Sequence, residues 1–227
     1  MKLTDQLFQD TLGVITSLAE NYVSYSPSQI ARGDHLKNDP RLGERAWNIP
    51  ETTGRFLYNI ILETGSRTGL ELGTSLGYST LWIAAALSEQ SQDFSLITIE
   101  RNEVKSNLAQ QTLHPVFGNT ITFETCWIGD YLKTIPNHTT FDFIFMDADR
   151  GNYAEYWPYI KNLMHEKTII VIDNALRDQK SVHEFQNIIT GDPDFFTTLY
   201  PIDNGLFLIT RQQSNLEVLK KMSDLHT

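Results

Sequence analysis

Two apolar runs in this chain end abruptly in oxygen-bearing side chains. Phe141-Asp-Phe-Ile-Phe-Met leads into Asp147-Ala-Asp149-Arg150, and Thr168-Ile-Ile-Val-Ile leads into Asp173-Asn174. In an open parallel sheet, ligands bind at the carboxyl ends of the strands. Two adjacent strands of this kind would aim Asp147, Asp173 and Asn174 at one point. Three hard oxygen donors with room for water suit Mg²⁺ first, and also Ca²⁺ or Mn²⁺. Turn chemistry alone also places Asp and Asn after strands. Two such endings, each before a helical pattern, point beyond turn chemistry to a site.

A second constellation lies earlier, in Gly69-Leu-Glu71-Leu-Gly73-Thr74-Ser-Leu-Gly77-Tyr-Ser79-Thr80. It reads as a strand, a glycine-bearing loop and a helix start. Gly73 lets a ligand approach the backbone without a Cβ in the way. The helix from about Gly77 offers free N–H groups, with Ser79 and Thr80 as hydroxyl donors. The Gly73-to-Gly77 spacing is G-x-x-x-G and lacks the third glycine of the dinucleotide fingerprint. That counts against pyrophosphate binding and a nicotinamide dehydrogenase. An adenosyl ligand without phosphates needs less of such a loop. The next strand, Phe94-Ser-Leu-Ile-Thr-Ile, ends in Glu100, a carboxylate placed to accept both hydroxyls of a ribose.

These residues need a scaffold, and the periodicity supplies one. Strands are expected at about 68–72, 95–100, 120–125, 141–146 and 167–172. Helices are expected at about 77–89, 102–114, 127–135, 152–165 and 178–190. Such alternation argues for a parallel α/β sheet with helices on both faces. Phe195–Tyr200 and Leu206–Thr210 are strand-like and flank Asn204-Gly205, a strong hairpin signal. The sheet is therefore expected to close with an antiparallel hairpin. Before it, residues 3–25 carry apolar positions at helical spacing, and Pro50 opens a helix running to about Gly65. Residues 26–50 hold Pro27, Gly33, Pro40, Gly43 and Pro50, the punctuation of a lid-like loop. A last helix is expected over 213–224. We expect an N-terminal helix and lid over 1–48 and one main domain over 49–227.

Composition narrows the class. Of 227 residues, 41% are hydrophobic and 20% charged, as in an ordinary globular protein. No run of 18 apolar residues suits a membrane helix, and the N-terminus lacks the regions of a signal peptide. One cysteine, Cys126, leaves no internal disulfide and no cysteine-based zinc site. A cytoplasmic setting is expected. The formal charge of −10 argues against broad nucleic-acid or membrane-surface binding while leaving room for a local basic patch. The six histidines show no metal-binding spacing. Trp82 and Trp157 read as core, Trp47 as part of the lid, and Cys126 as a small buried residue.

Taken together, Glu71-Leu-Gly73-Thr-Ser-Leu-Gly77-Tyr-Ser79, Glu100, Asp147-Ala-Asp149 with Asn152-Tyr153 and Tyr156, Asp173-Asn174 and Asp203-Asn-Gly-Leu-Phe-Leu carry a resemblance. The chain resembles the class I S-adenosylmethionine (SAM)-dependent O-methyltransferases. More narrowly, it is similar to the cation-dependent branch typified by catechol and caffeoyl-CoA O-methyltransferases, over roughly residues 47–211. The resemblance implies a Rossmann-like methyltransferase fold with a seven-stranded, mostly parallel sheet. It implies that Asp147, Asp173 and Asn174 hold the cation. It implies that Glu71, Gly73, Thr74, Ser79, Glu100, Arg101, Asp147 and Asp149 surround SAM, with Tyr156 nearby. Trp127 and Ile128 would sit by the adenine, and Ile49, Pro50 and Thr52 by the methionine end and the acceptor mouth. It also implies a homodimer.

One departure is chemical. Where the family usually places a lysine three residues after the first metal aspartate, this chain has Arg150. Lysine serves as a base when desolvated, whereas arginine stays protonated. Arg150 could stabilise a phenolate, neutralise an acidic acceptor, or pair with Asp147 or Asp149. A second departure is Ala175-Leu-Arg177-Asp178, where plant-type relatives carry a tryptophan-containing loop. The acceptor is expected to be a vicinal-dihydroxy, catechol-like small molecule. A hydroxylated uridine in tRNA, modified by some relatives, and a non-catalytic SAM- or metal-binding role are the alternatives.

Overall fold

A strand whose two faces are both covered can be apolar at every position, and the middle of this chain is built that way. The computed structural model describes residues 3–22, 46, 48–176 and 180–211. Its strands are β1 (Thr68–Leu72), β2 (Ser95–Glu100), β3 (Ile121–Thr125), β4 (Phe141–Met146), β5 (Met164–Asp173), β6 (Phe195–Tyr200) and β7 (Leu206–Arg211). Its helices are α1 (Asp5–Asn21), α2 (Glu51–Thr64), α3 (Tyr78–Gln90), α4 (Glu103–Phe117), α5 (Ile128–Thr134), α6 (Tyr153–Ile160) and α7 (Lys180–Thr190).

The strands form one sheet in the order β3-β2-β1-β4-β5-β7-β6. Strands β1 to β5 pair in parallel. β7 runs antiparallel to both β5 and β6. The hairpin is therefore present as expected, and its reversed strand sits one place inside the edge.

Alternation along β4 and β5 divides the core in two. Phe143, Phe145, Ile169 and Val171 pack with α1, α2, α3 and α4 through residues such as Ile15, Phe56, Leu81 and Leu113. Ile144, Met146, Ile170 and Ile172 face the other side, with Leu132, Tyr153, Trp157 and Phe185 of α5, α6 and α7. Trp157 packs edge-on against Phe185 and Phe195, with ring centroids 5.8 and 4.9 Å away. Trp82 and Trp157 are both core residues, as expected.

Several boundaries differ from the sequence expectation. β5 begins at Met164, three residues early, and its register with β4 shifts between Phe141 and Phe143. α6 ends at Ile160 and passes into a 3₁₀ turn over Lys161–Leu163. α4 runs to Phe117 with Pro115 inside its last turn. α1 spans Asp5–Asn21, and the Thr4 hydroxyl caps it by accepting from the Leu7 amide. The expected lid (apart from residues 46 and 48–50), Trp47, Arg177, Asp178 and the expected helix over 213–224 lie outside the described residues. Among the described residues, no helix is long and apolar enough to cross a membrane.

Candidate active site

The order of the strands reverses direction between β1 and β4, and the carboxyl ends diverge there into a crevice. A cleft of about 320 Å³ opens at that place. Gly73 follows β1 with φ +114°, and a Cβ on it would lie 2.8 Å from the Ala148 Cβ. Glycine is needed here so that the β1 and β4 loops can close on each other.

One end of the cleft is a set of prepared acceptors. Glu100 lines it, and each carboxylate oxygen accepts one backbone amide, from Ser75 and from Asn102, both at 2.9 Å. Those two bonds fix the carboxylate and leave lone pairs facing the cleft. Cys126, Trp127 and Ile128 line the cleft next to Glu100, whose carbonyl accepts the Cys126 amide at 3.2 Å. Trp127 is 55% exposed, and the Arg101 guanidinium stands 4.9 Å from its ring centre. An exposed indole beside a fixed carboxylate fits a nucleoside, with stacking for the base and hydrogen bonds for the ribose.

Glu71 lies behind this surface and outside the lining. It is fully buried, and it accepts the hydroxyls of Ser79, Thr80 and Thr98, each at 2.6 Å. Burial pushes its carboxyl upward, against the pull of those three donors. Thr98 also bonds Thr74 at 2.5 Å. Glu71 thus ties β1, β2, α3 and the Gly73 loop together, and reaches the cleft through Ser79 and Thr74, which do line it.

At the other end Asp147 leads into a charged cluster whose other members, Arg150, Asp173 and Asn174, lie outside the lining. Asp147 follows β4 and lines the cleft. Its Oδ1 accepts from Arg150 Nη2 at 2.5 Å and from Asn174 Nδ2 at 3.2 Å. Asn174, at φ +61°, also donates to Asp173 Oδ2 at 2.5 Å. Asp173 is 3% exposed, and its Oδ1 is buried with no hydrogen-bond partner. Burial, then the charge of Asp147, push the Asp173 carboxyl up to about 7. The loop is held from the hairpin, where Ala175 and Leu176 amides donate to Gly205 and Asn204 carbonyls. Among the described residues, no three His, Cys, Asp or Glu side chains gather as a metal cage. Two carboxylates and an amide do meet here, and the orphaned Asp173 oxygen is the acceptor that a cation would satisfy.

The remaining expected residues stand around this frame. Asp149, at φ +56°, lines the cleft and accepts from Asn152 at 2.9 Å and from the Tyr156 hydroxyl. Tyr156 is buried, which with that bond raises its phenol. It supports Gly129 from below, where a Cβ would sit 3.0 Å from its ring. Ile49 lines the cleft, but Pro50 and Thr52, expected at its mouth, are not part of the lining. The hydroxyls of Thr52 and Thr53 both donate to Asp203 Oδ2, at 2.5 and 2.7 Å, which ties α2 to the hairpin turn. Cys126 is half-buried in the wall.

Ser75, Tyr78, Ile99 and Lys105 also line the cleft, and sequence reasoning passed over them. Lys105 offered one signal. A lysine in the first turn of a helix opposes the dipole, and this one is buried, with its ammonium 5.7 Å from the Tyr22 ring centre.

A family model described as O-methyltransferase matches residues 36–212. The chain belongs to the O-methyltransferase family. It is 32% identical over 145 residues to a catechol O-methyltransferase of Niastella koreensis, across 63% of this chain and 64% of that one. The match therefore spans less than two thirds of that relative's length. It is 26% identical to caffeoyl-CoA O-methyltransferase 1 of Arabidopsis thaliana, across 73% of both chains. The fold matches an O-methyltransferase from Bacillus cereus solved with SAH, at a TM-score of 0.66 and 23% identity, covering 90% of this chain and 100% of that one.

Proposed function

We propose that the protein transfers a methyl group from SAM to a hydroxyl oxygen of a vicinal-dihydroxy, catechol-like small molecule, with help from a divalent cation. The observation that carries this reading is the position of Asp147. It belongs both to the cleft that contains Glu100 and Trp127 and to the cluster with Asp173 and Asn174. A nucleoside-shaped end and a cation-suited end therefore meet at one residue.

In this reading SAM supplies an activated methyl group, and a cation held by Asp147, Asp173 and Asn174 supplies Lewis acidity toward the acceptor hydroxyls. The chain does the rest by positioning. Glu100 and its two backbone amides fix the ribose, and Trp127 and Ile128 hold the base. Asp149 and the Gly73 loop direct the methionine end toward Asp147. Methyl transfer is an in-line displacement, so alignment of these groups accounts for most of the rate. An arginine does not act as a base, so Arg150 is not the group that takes the proton of the acceptor hydroxyl.

Methyl transfer from SAM to 3,4-dihydroxybenzoate or caffeate, with Mg²⁺ and then with EDTA, tests this. The expected result is a monomethylated product that EDTA abolishes. Equal product in EDTA would remove the cation from the account. No product from any catechol, with SAM still bound, would remove the acceptor class.

A further inference from the structure

Arg150 is held by less than its chemistry allows. A guanidinium carries five N–H donors. Here Nη2 donates to Asp147 Oδ1 at 2.5 Å, between groups 23% and 18% exposed, while Nε is buried with no hydrogen-bond partner. The oxygen it bonds is one of those proposed above as cation ligands. The Asn174 amide donates to that oxygen too, and to Asp173 Oδ2. Arg150 Nη2 and the Asn174 amide are thus both turned toward the carboxylates, while Arg150 Nε is left over.

The pair cannot make room by losing a proton, as a lysine could. A divalent cation at Asp147 would meet a fixed positive charge 2.5 Å from the same oxygen. Two cations on one side of one carboxylate repel strongly where water is scarce. We propose that Arg150 is an internal counter-ion of Asp147, so that a divalent cation binds by exchange, displacing the guanidinium from the carboxylate. This rests on the cation site of the proposed function. The exchange sets a weaker cation affinity than the same three ligands would have beside a neutral side chain. It also keeps the two carboxylates compensated before the cation arrives.

Mn²⁺ binding to the full chain, followed by the free-ion paramagnetic resonance signal without SAM or acceptor, tests this without reading activity. The variants are Arg150→Gln, Arg150→Lys and Asp173→Ala. Removing one charge-assisted hydrogen bond from a competitor should tighten Mn²⁺ binding by roughly tenfold or more in Arg150→Gln. Arg150→Lys keeps the charge without the planar fork and should fall between Gln and the wild type. If Arg150→Gln fails to fold, the lysine variant still decides the matter by its position relative to the wild type. Unchanged or weaker Mn²⁺ binding in these variants, with Asp173→Ala still abolishing it, overturns the exchange and leaves the cation site standing. If neither the wild type nor the Arg150 variants bind Mn²⁺ in a manner that Asp173→Ala removes, the site and the exchange fall together.

Discussion

The carboxylates at and behind the two ends of the cleft are satisfied in opposite ways. At the nucleoside end, Glu71 and Glu100 are matched by neutral donors, three hydroxyls for one and two backbone amides for the other. At the end proposed for the acceptor, one amide bridges Asp147 and Asp173, a guanidinium bonds Asp147 alone, and one buried Asp173 oxygen has no partner. Neutral donors spread over several elements make a surface that is finished before a ligand arrives. Opposed carboxylates with an orphaned atom make one that another positive charge would complete. In the reading proposed above, the first end is built to hold and the second to change its occupant.

The largest break in this comparison should come from Asp173→Ala. Loss of one of the proposed cation ligands is expected to cut methyl transfer by roughly 10²–10³-fold, the range for losing one strong electrostatic contact to a transition state. SAM affinity by calorimetry should stay within about twofold. Next is Glu71→Ala, which strands the hydroxyls of Ser79, Thr80 and Thr98 in a dry site. It should cost about 2–4 kcal/mol in stability by urea unfolding, since buried donors lose their acceptor. Glu100→Ala should be gentler on the fold and harsher on the ligand, weakening SAM roughly tenfold or more while leaving Mn²⁺ binding unchanged.

The smallest effect lies at the opposite, amino end of the strands and serves as a control. Asp142 accepts from the Arg67 and Thr68 amides at 2.8 and 2.9 Å and meets His165 Nε2 at 2.9 Å. Burial alone would raise this carboxyl, but these bonds outweigh it and hold it below the usual aspartate value. A depressed carboxyl stabilises the fold above its unfolded pKa and loses that contribution as the pH falls through its folded pKa. Asp142→Asn should therefore cost about 1 kcal/mol near neutrality, and the difference from the wild type should shrink in acid, below the ordinary aspartate range. Methyl transfer at neutral pH should hardly move.

Much of the frame was legible because its signals are local. Mainly apolar runs gave β4 and β5, Asn204-Gly205 gave the hairpin, and strand-end residues gave the cluster of Asp147, Asp173 and Asn174. The pairing of Arg150 with Asp147 was one of the alternatives the sequence left open, beside Asp149 and an acidic acceptor. Other features depend on partners that are distant in sequence. Glu71 looks like a ligand contact in its motif, yet Thr98 from the next strand and two helix hydroxyls take its oxygens. The clasp of Thr52 and Thr53 on Asp203 joins residues about 150 positions apart, which no periodicity announces. Boundaries moved where tertiary pairing overrode local preference, as at the early start of β5 opposite Phe141.

The division of the cleft is tested most directly by measuring SAM affinity of the wild type and of Asp173→Ala, each in excess Mg²⁺ and in EDTA. The account predicts four dissociation constants within about twofold of one another, because Glu100, Trp127 and the Gly73 loop are complete without a cation. A loss of tenfold or more in EDTA, or in Asp173→Ala, would contradict it and make the two ends a single site.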